Sequence, residues 1–514
     1  MIIPLLTGHS KTQMINSLWS ETDMITEWNE FLSIAQDSND FKHYPLLNEE
    51  SPFVISYYQT LIKTELLQKN LLRPLQERME ANESITDLRH FSRFLHVEDI
   101  IYTDDIQTVV SKIMTGYAAI QSKDNLQFFA LINLANPTEG LRTDNDTENE
   151  FSVVGPKVGF VENIDINLHL IRQQISTPKL IIRELTLGTL SHTRIAVVYL
   201  SGITNPQHIE TVEQRLQTID FDIIFDSSQL DQIMSDNSNT PFPLFLSTER
   251  IDRVIYALTL GQIVIISDAS PYVITGPTTI FDFFISPEDY YLPWILSSLF
   301  RLIRIFGVLF SILMTPAYTA VLTFHLEMIP QDMLAPIILS RKYVPFPPVL
   351  EVLFLELTIE FLREAGARLP TKVGQTLGIV GGIVIGQASV EAALTSNILL
   401  IIVALSALAS FTTPIYKMSN TIRFLRFPLI ILSGIWGGLG IAIGLMFMLT
   451  HLLQLKSLGT PYLAPLYPFR RRSFADSFIR SSYSRTARRS AIMRVISQWR
   501  YDPDKATQKR DIDE

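Results

Sequence analysis

The chain has 514 residues, 47% of them hydrophobic, a mean hydropathy of +0.21 and a formal net charge of −10 at pH 7. These values lie between those of a soluble protein and those of a transporter made only of spans, so a chain of two kinds of part is implied. The absence of cysteine excludes disulfides, thiolate metal sites and cysteine nucleophiles.

Residues 1–85 are polar and acidic with scattered aromatics, and read as a poorly defined N-terminal extension. The start, MIIPLLTGHSKTQM, has neither a basic n-region nor a long apolar core, so the soluble part is expected to stay in the cytoplasm. A first soluble α/β subdomain is expected over 86–140, with a helix entered through Thr103 and Asp104 and a buried strand in LQFFALINL. The composition of NPTEGLRTDNDTENE, 136–150, is that of a linker. A second α/β subdomain is expected over 150–285. There TRIAVVYLSG, FDIIFD and GQIVIISD read as strands, a helix begins at Asn205 and Pro206, and ERIDRVIYALTLG reads as a helix ending at Gly261. The two subdomains together, cut out as 86–285, are expected to fold alone.

The apolar mass lies after residue 290. An all-α polytopic membrane domain is expected over 290–456, with spans at about 305–324, 373–394, 397–416 and 427–453 and a less clear fifth at 345–362, followed by a basic tail, 457–514. Between Lys372 and Lys417 the single formal charge is Glu391. It faces a bundle interior or a water path, or it sits at a turn near the headgroups, because Thr395, Ser396 and Asn397 follow. The charge rule conflicts with this count. Lys417, Arg423 and Arg426 mark one side as cytoplasmic, the tail carries a second arginine cluster, and one span separates the two.

In the uncertain segment Glu356, Glu360 and Glu364 recur every four residues and share one helix face. That face lines an aqueous vestibule, pairs with another element inside the membrane, or lies in water on an interfacial helix. Gly374, Gly378, Gly382 and Gly386 repeat at the same spacing and give the next helix a smooth stripe for close packing. Opposite the stripe stand Thr376, Val380, Ile383, Val384, Gln387 and Glu391. Two readings stand: a pore-lining helix whose Val/Ile band is a dry gate, or a bundle-core helix whose Gln387 and Glu391 bond its neighbours. Gly434, Gly438, Gly440 and Gly444 of the last span read as packing. No nucleotide, metalloprotease or hydrolase signature is present, and no enzyme activity, metal, cofactor or nucleic-acid partner is expected.

SPEDYY (286–291), FHLEMIP (324–330), VPFPPVLEVLFLELTIEFLREAGARLP (344–370), GQTLGIVGGIVIGQASVEA (374–392) and SLGTPYLAP (457–465) together resemble the A subunit of the bacterial spore germinant receptors, as do FSVVGPKVGFVENIDINLHLIRQQI, STERIDR and GQIVIISDASPY. The likeness covers roughly 95–470. It implies a multi-pass protein of the inner spore membrane with a cytoplasmic N-terminal domain, a transporter-like B subunit and a lipoprotein C subunit as partners, and ion release through a homo-oligomeric channel in response to a small nutrient. The chain departs from the family pattern at Val154, where Arg is usual, at Ile251, where Pro is usual, at Glu391, where Gln is usual, and at Ser396-Asn397, where Ser-Pro is usual. A secondary transporter that uses Glu391 and the Glu356/Glu360 face for a coupling ion, and a scaffold that clusters receptors, are the alternative functions.

Overall fold

The structure, a computed structural model, describes residues 27–47, 51–80, 88–93, 95, 100–123, 128–135, 150, 154–368, 386–483 and 486–501. Strands Phe41–Pro45 (β1), Phe53–Tyr58 (β2), Ile100–Thr103 (β3), Tyr117–Ser122 (β4) and Phe129–Asn133 (β5) form an antiparallel sheet in the order β1-β2-β4-β5-β3. Successive side chains leave a strand on opposite faces, and here both faces are covered. Ile55, Ile120 and Ile132 pack with Leu71 and Phe91 on one side, and Tyr58, Ala119 and Leu131 pack with Phe31 and Ile113 on the other. Strands β1 and β2 lie before residue 85, so a fragment cut at 86 would lack two of the five strands. The helix Ile106–Ile113 is capped by Asp105, one residue beyond the expected Asp104, with its carboxylate accepting from the Gln107 and Thr108 N–H groups.

A second antiparallel sheet comprises Leu180–Leu187 (β6), Thr193–Leu200 (β7), Leu246–Thr248 (β8), Ile263–Ser267 (β9) and Val273–Gly276 (β10), in the order β6-β7-β9-β10-β8. Helix Pro206–Gln217 begins as its sequence dictates, with the Asn205 side chain accepting from the Gln207 N–H and Pro206 at the first position. Helix Ile251–Thr259 is followed by Gly261 at φ +86°, a left-handed conformation that closes a helix without a Cβ clash. FDIIFD, 221–226, is not a strand. β7 already has β6 and β9 as neighbours, so the sheet offers this segment no place beside it. Its carbonyls instead accept from Thr189, Leu190 and Ser191 at the β6–β7 turn.

The two sheets belong to one compact unit and are joined by a buried ion pair. Arg172 is fully buried and donates to Asp40 at 2.7 and 2.9 Å, to Ser38 Oγ at 3.2 Å and to the Leu180 carbonyl at 2.8 Å, with its guanidinium 4.3 Å from the Tyr58 ring centre. Ser38 and Asn39 also hydrogen-bond Ile182, which covers part of the edge of β6. The same unit takes back the chain's last described segment. Arg489 donates to the Thr259 carbonyl at 2.6 Å, the Ile496 N–H donates to Ile203 at 3.0 Å, and Arg500 lies 5.3 Å from the Tyr256 ring centre.

The other unit, Asp236–Leu244 with Thr278–Ser481, is helical. It contains Trp294–Phe324, Gln331–Arg341, Pro348–Arg368, helical residues 386–391, Asn397–Ser410 and Tyr416–Gln454. Trp294–Phe324 and Tyr416–Gln454 are long and apolar enough to cross a membrane. The second of these is not one rod. Gly437 has φ 60° and ψ −136°, outside the helical region and open to glycine. Beyond it the chain folds back, because a Cβ at Gly440 would run into the Leu432 carbonyl and one at Gly444 into Leu429. The expected single span 427–453 is therefore two antiparallel arms, 416–436 and 438–454, about 31 and about 25 Å long. Thr240 bonds His451 at 2.8 Å and Thr421 bonds the Pro241 carbonyl at 2.5 Å, so the outer ends of both arms meet the same loop.

Candidate functional site

The acidic face of helix Pro348–Arg368 meets the arm 416–436 running in the opposite direction. Val349 packs on Gly434, Glu356 pairs with Arg426 at 2.6 Å, and Glu360 pairs with Arg423 at 3.1 Å. Acids four residues apart thus face arginines three apart, the register that lets two helices align charges turn by turn. Glu356 and Arg426 are both nearly inaccessible, and Arg426 also donates to Ser311 Oγ at 2.6 Å. A third pair follows, Arg341 with Glu351 at 3.2 Å, and Glu351 accepts from the Ser396 N–H at 2.7 Å. Glu364 stands apart on the surface, paired with Arg368.

Of the readings open for this face, Glu356 and Glu360 follow pairing inside the bundle, and Glu364 follows exposure. Arg423 and Arg426 are spent on these pairs. They are therefore not loop charges of the kind that mark the cytoplasmic side.

Gly374, Gly378, Gly382, Thr376, Val380, Ile383 and Val384 lie outside the described residues. Of the same glycine series, Gly386 is buried, and a Cβ there would meet Leu400 at 3.6 Å, so it packs on helix Asn397–Ser410. Gln387 and Glu391 are exposed and bond each other at 3.0 Å. Glu391 is the last helical residue before a tight turn with Ala393 at φ 57°, and Ser396 caps the next helix by accepting from the Leu399 N–H.

The arms enclose a cavity of about 230 Å³ with the 241–242 loop, lined by Phe242, Leu425, Leu429, Phe447 and His451 among others. At the opposite end His325 Nε2 accepts from the Gly438 N–H at 3.2 Å. Gly438, Gly440 and Gly444 thus serve the contacts of the reversal at Gly437, a role that sequence spacing alone did not separate from ordinary packing, while Gly434 takes Val349 of helix Pro348–Arg368. The signal present was Trp436-Gly437-Gly438 in mid-span. Among the described residues no cluster of His, Asp and Glu is arranged to hold a metal.

At the N-terminal end of Trp294–Phe324, Asp289 receives Arg301 at 3.3 Å and Arg304 at 2.5 Å, and Arg301 reaches Asp476 at 3.2 Å. Asp289 is part of SPEDYY, where it closes a capping box with Ser286. Sequence reasoning used that motif for resemblance and missed its role as the anchor of two arginines in the helix it precedes.

A family model described as Bacillus/Clostridium GerA spore germination protein matches residues 29–492. Spore germination protein GerQA of Bacillus cereus is 44% identical over 486 residues, covering 95% of this chain and 96% of that protein. Spore germination protein GerIA of Bacillus cereus is 46% identical over 461 residues, covering 90% and 68%. Spore germination protein A1 of Bacillus subtilis (strain 168) is 37% identical over 427 residues, covering 83% and 88%. The crystal structure of the N-terminal domain of the A subunit of the Bacillus megaterium spore germinant receptor GerK3 aligns with a TM-score of 0.35 and 23% identity, over 48% of this chain and 92% of that one.

Proposed function

Because the chain belongs to the Bacillus/Clostridium GerA family of spore germination proteins, we propose that it is the A subunit of a germinant receptor. In this reading it works with a transporter-like B subunit and a lipoprotein C subunit. It couples their nutrient recognition to ion release across the inner spore membrane, through a channel made by several copies of the chain. The observation that carries the channel reading is the end of the 386–391 helix. Gly386 is buried against its own bundle while Gln387 and Glu391 face outward, so the polar side is the one left for other copies or for a pore. In that helix Val380, Ile383 and Val384 form the dry gate and Glu391 concentrates cations at its mouth. The ion pairs argue against the transporter reading, since Glu356 and Glu360 are neutralised by arginines and leave Glu391 alone to carry a coupling ion.

The multi-pass topology has independent support. The chain leaves the α/β unit at Pro277 and rejoins it from Ser482 on, so an even number of crossings lies between. The reversal at Gly437 supplies the crossing that a single last span lacked, and it returns Lys417 and the basic tail to one side, in accord with the charge rule. The test is ion flux through vesicles holding the purified chain with its partner subunits. Val384→Ser and Ile383→Ala are expected to leak without nutrient, and Glu391→Gln to change cation preference while staying closed. Variants that assemble normally and stay as tight as the parent would remove this helix from the pore.

A further inference from the structure

The first turns of helix Trp294–Phe324 are two-sided. Ser297, Ser298 and Arg301 are buried, whereas Trp294, Ile295, Leu299, Ile303 and Phe306 are 48–67% exposed. The buried side is covered by the segment after residue 475, because Ser298 Oγ donates to the Arg480 carbonyl, Arg301 donates to the Asp476 carbonyl and Arg480 donates to the Leu292 carbonyl. From this segment a chain of rings leads outward. Phe478 lies 4.7 Å from Phe281 and 5.8 Å from Phe474, and Phe474 lies 5.3 Å from Phe469. Phe469 itself is 72% exposed, beside Tyr467 at 58% and Leu466 at 43%. Arg470, Arg471 and Arg472 follow directly, with Arg471 exposed.

Exposed rings backed by a fixed aromatic stack, next to arginines, have the composition of a membrane-interface element. The helix that this segment covers exposes an apolar face of its own, from Trp294 to Phe306 and Leu309, and is long enough to cross a bilayer. The arginines stand out against a chain of net charge −10, and their complement is an anionic surface rather than a neutral one. We propose that the 465–471 loop binds anionic phospholipid, with Tyr467 and Phe469 entering the headgroup layer and with the exposed Arg471 contacting lipid phosphate. The loop then fixes the depth of the bundle and gives it a preference for acidic lipid. This rests on the reading of 294–324 as a membrane helix.

The test uses the full chain, which has no native cysteine. Phe469→Cys and, as a reference, Phe306→Cys are labelled with an environment-sensitive dye and reconstituted in vesicles of phosphatidylcholine, with or without phosphatidylglycerol. Spin labels are carried at the headgroup or on the acyl chain. The label at 469 is expected to be quenched from the headgroup position and the label at 306 from the acyl chain. On delipidation the parent is expected to retain phosphatidylglycerol in excess, and Arg471→Gln to reduce that excess by about fivefold. If 306 is quenched and 469 is not, the loop faces water and the proposal fails while the membrane reading stands. Quenching at neither site removes the membrane reading too. An unchanged lipid ratio in Arg471→Gln overturns the anionic preference.

Discussion

Replacing Arg172 by Met tests how the two sheets of the α/β unit are held together. The guanidinium is fully buried and is the cationic partner of Asp40, whose carboxylate is 3% exposed and otherwise meets the hydroxyls of Ser38 at 2.5 Å and Thr60 at 2.7 Å. Removing the arginine leaves that carboxylate in the interior without its counter-charge, a change that costs about 3–5 kcal/mol. A domain of this size has about 5–15 kcal/mol of stability to lose and changes its melting temperature by about 2–4 °C per kcal/mol, so a drop of about 10 °C is expected. The double variant Arg172→Met/Asp40→Leu removes both charges and should recover most of the loss, because a buried pair replaced by apolar groups is close to neutral. The assay is thermal unfolding, followed by circular dichroism, of a fragment joining 27–277 to 482–501 through a flexible linker, with each single change and both. A drop under about 3 °C for Arg172→Met, or a double variant no better than the sum of the singles, would refute the assignment of the pair as the tie between the sheets. In the same experiment a fragment spanning 86–285 lacks β1, β2 and Asp40, and is expected to aggregate.

The reversal at Gly437 is tested by Leu429→Cys/Gly444→Cys in the otherwise cysteine-free chain, where rapid crosslinking is expected. In a straight helix the two positions are about 22 Å apart and no disulfide forms. Arg426→Gln strands Glu356 in the helical core at a cost of about 3–5 kcal/mol, so the yield of monodisperse full chain should fall and Glu356→Gln/Arg426→Gln should restore it. Burial, with the Arg494 charge second, holds His208 down at about 4. Between that value and the unfolded value near 6.5 the unfolded chain binds the extra proton, so stability is lost as pH falls through this window, by about 2 kcal/mol for a ring that keeps some water. Denaturant titrations at pH 7 and pH 4 of a fragment joining 27–277 to 482–501, which keeps Arg494, should show that loss, and His208→Gln should flatten it.

What the sequence determined by itself is what short-range chemistry controls. Asn205-Pro206 starts its helix, Gly261 ends one, GQIVIISD and TRIAVVYLSG are strands, and the apolar runs within Trp294–Phe324, Asn397–Ser410 and Tyr416–Gln454 are helices, because caps, φ preferences and apolar periodicity act within one turn or a few residues. The long motifs identified the family for the same reason, being contiguous. Tertiary structure decided the partners. FDIIFD has the β-branched and aromatic content of a strand, yet the sheet has no vacancy beside β7, and only the assembled strand order reveals that. Whether Glu356 and Glu360 face water or arginine depended on Arg426 and Arg423, some seventy residues away, and no periodicity within 348–368 carries that information. The last span read as one helix because both arms are apolar and glycine is common in membrane helices. The fold-back appears only where Gly440 and Gly444 come against Leu432 and Leu429, a contact between residues that a straight helix would keep apart.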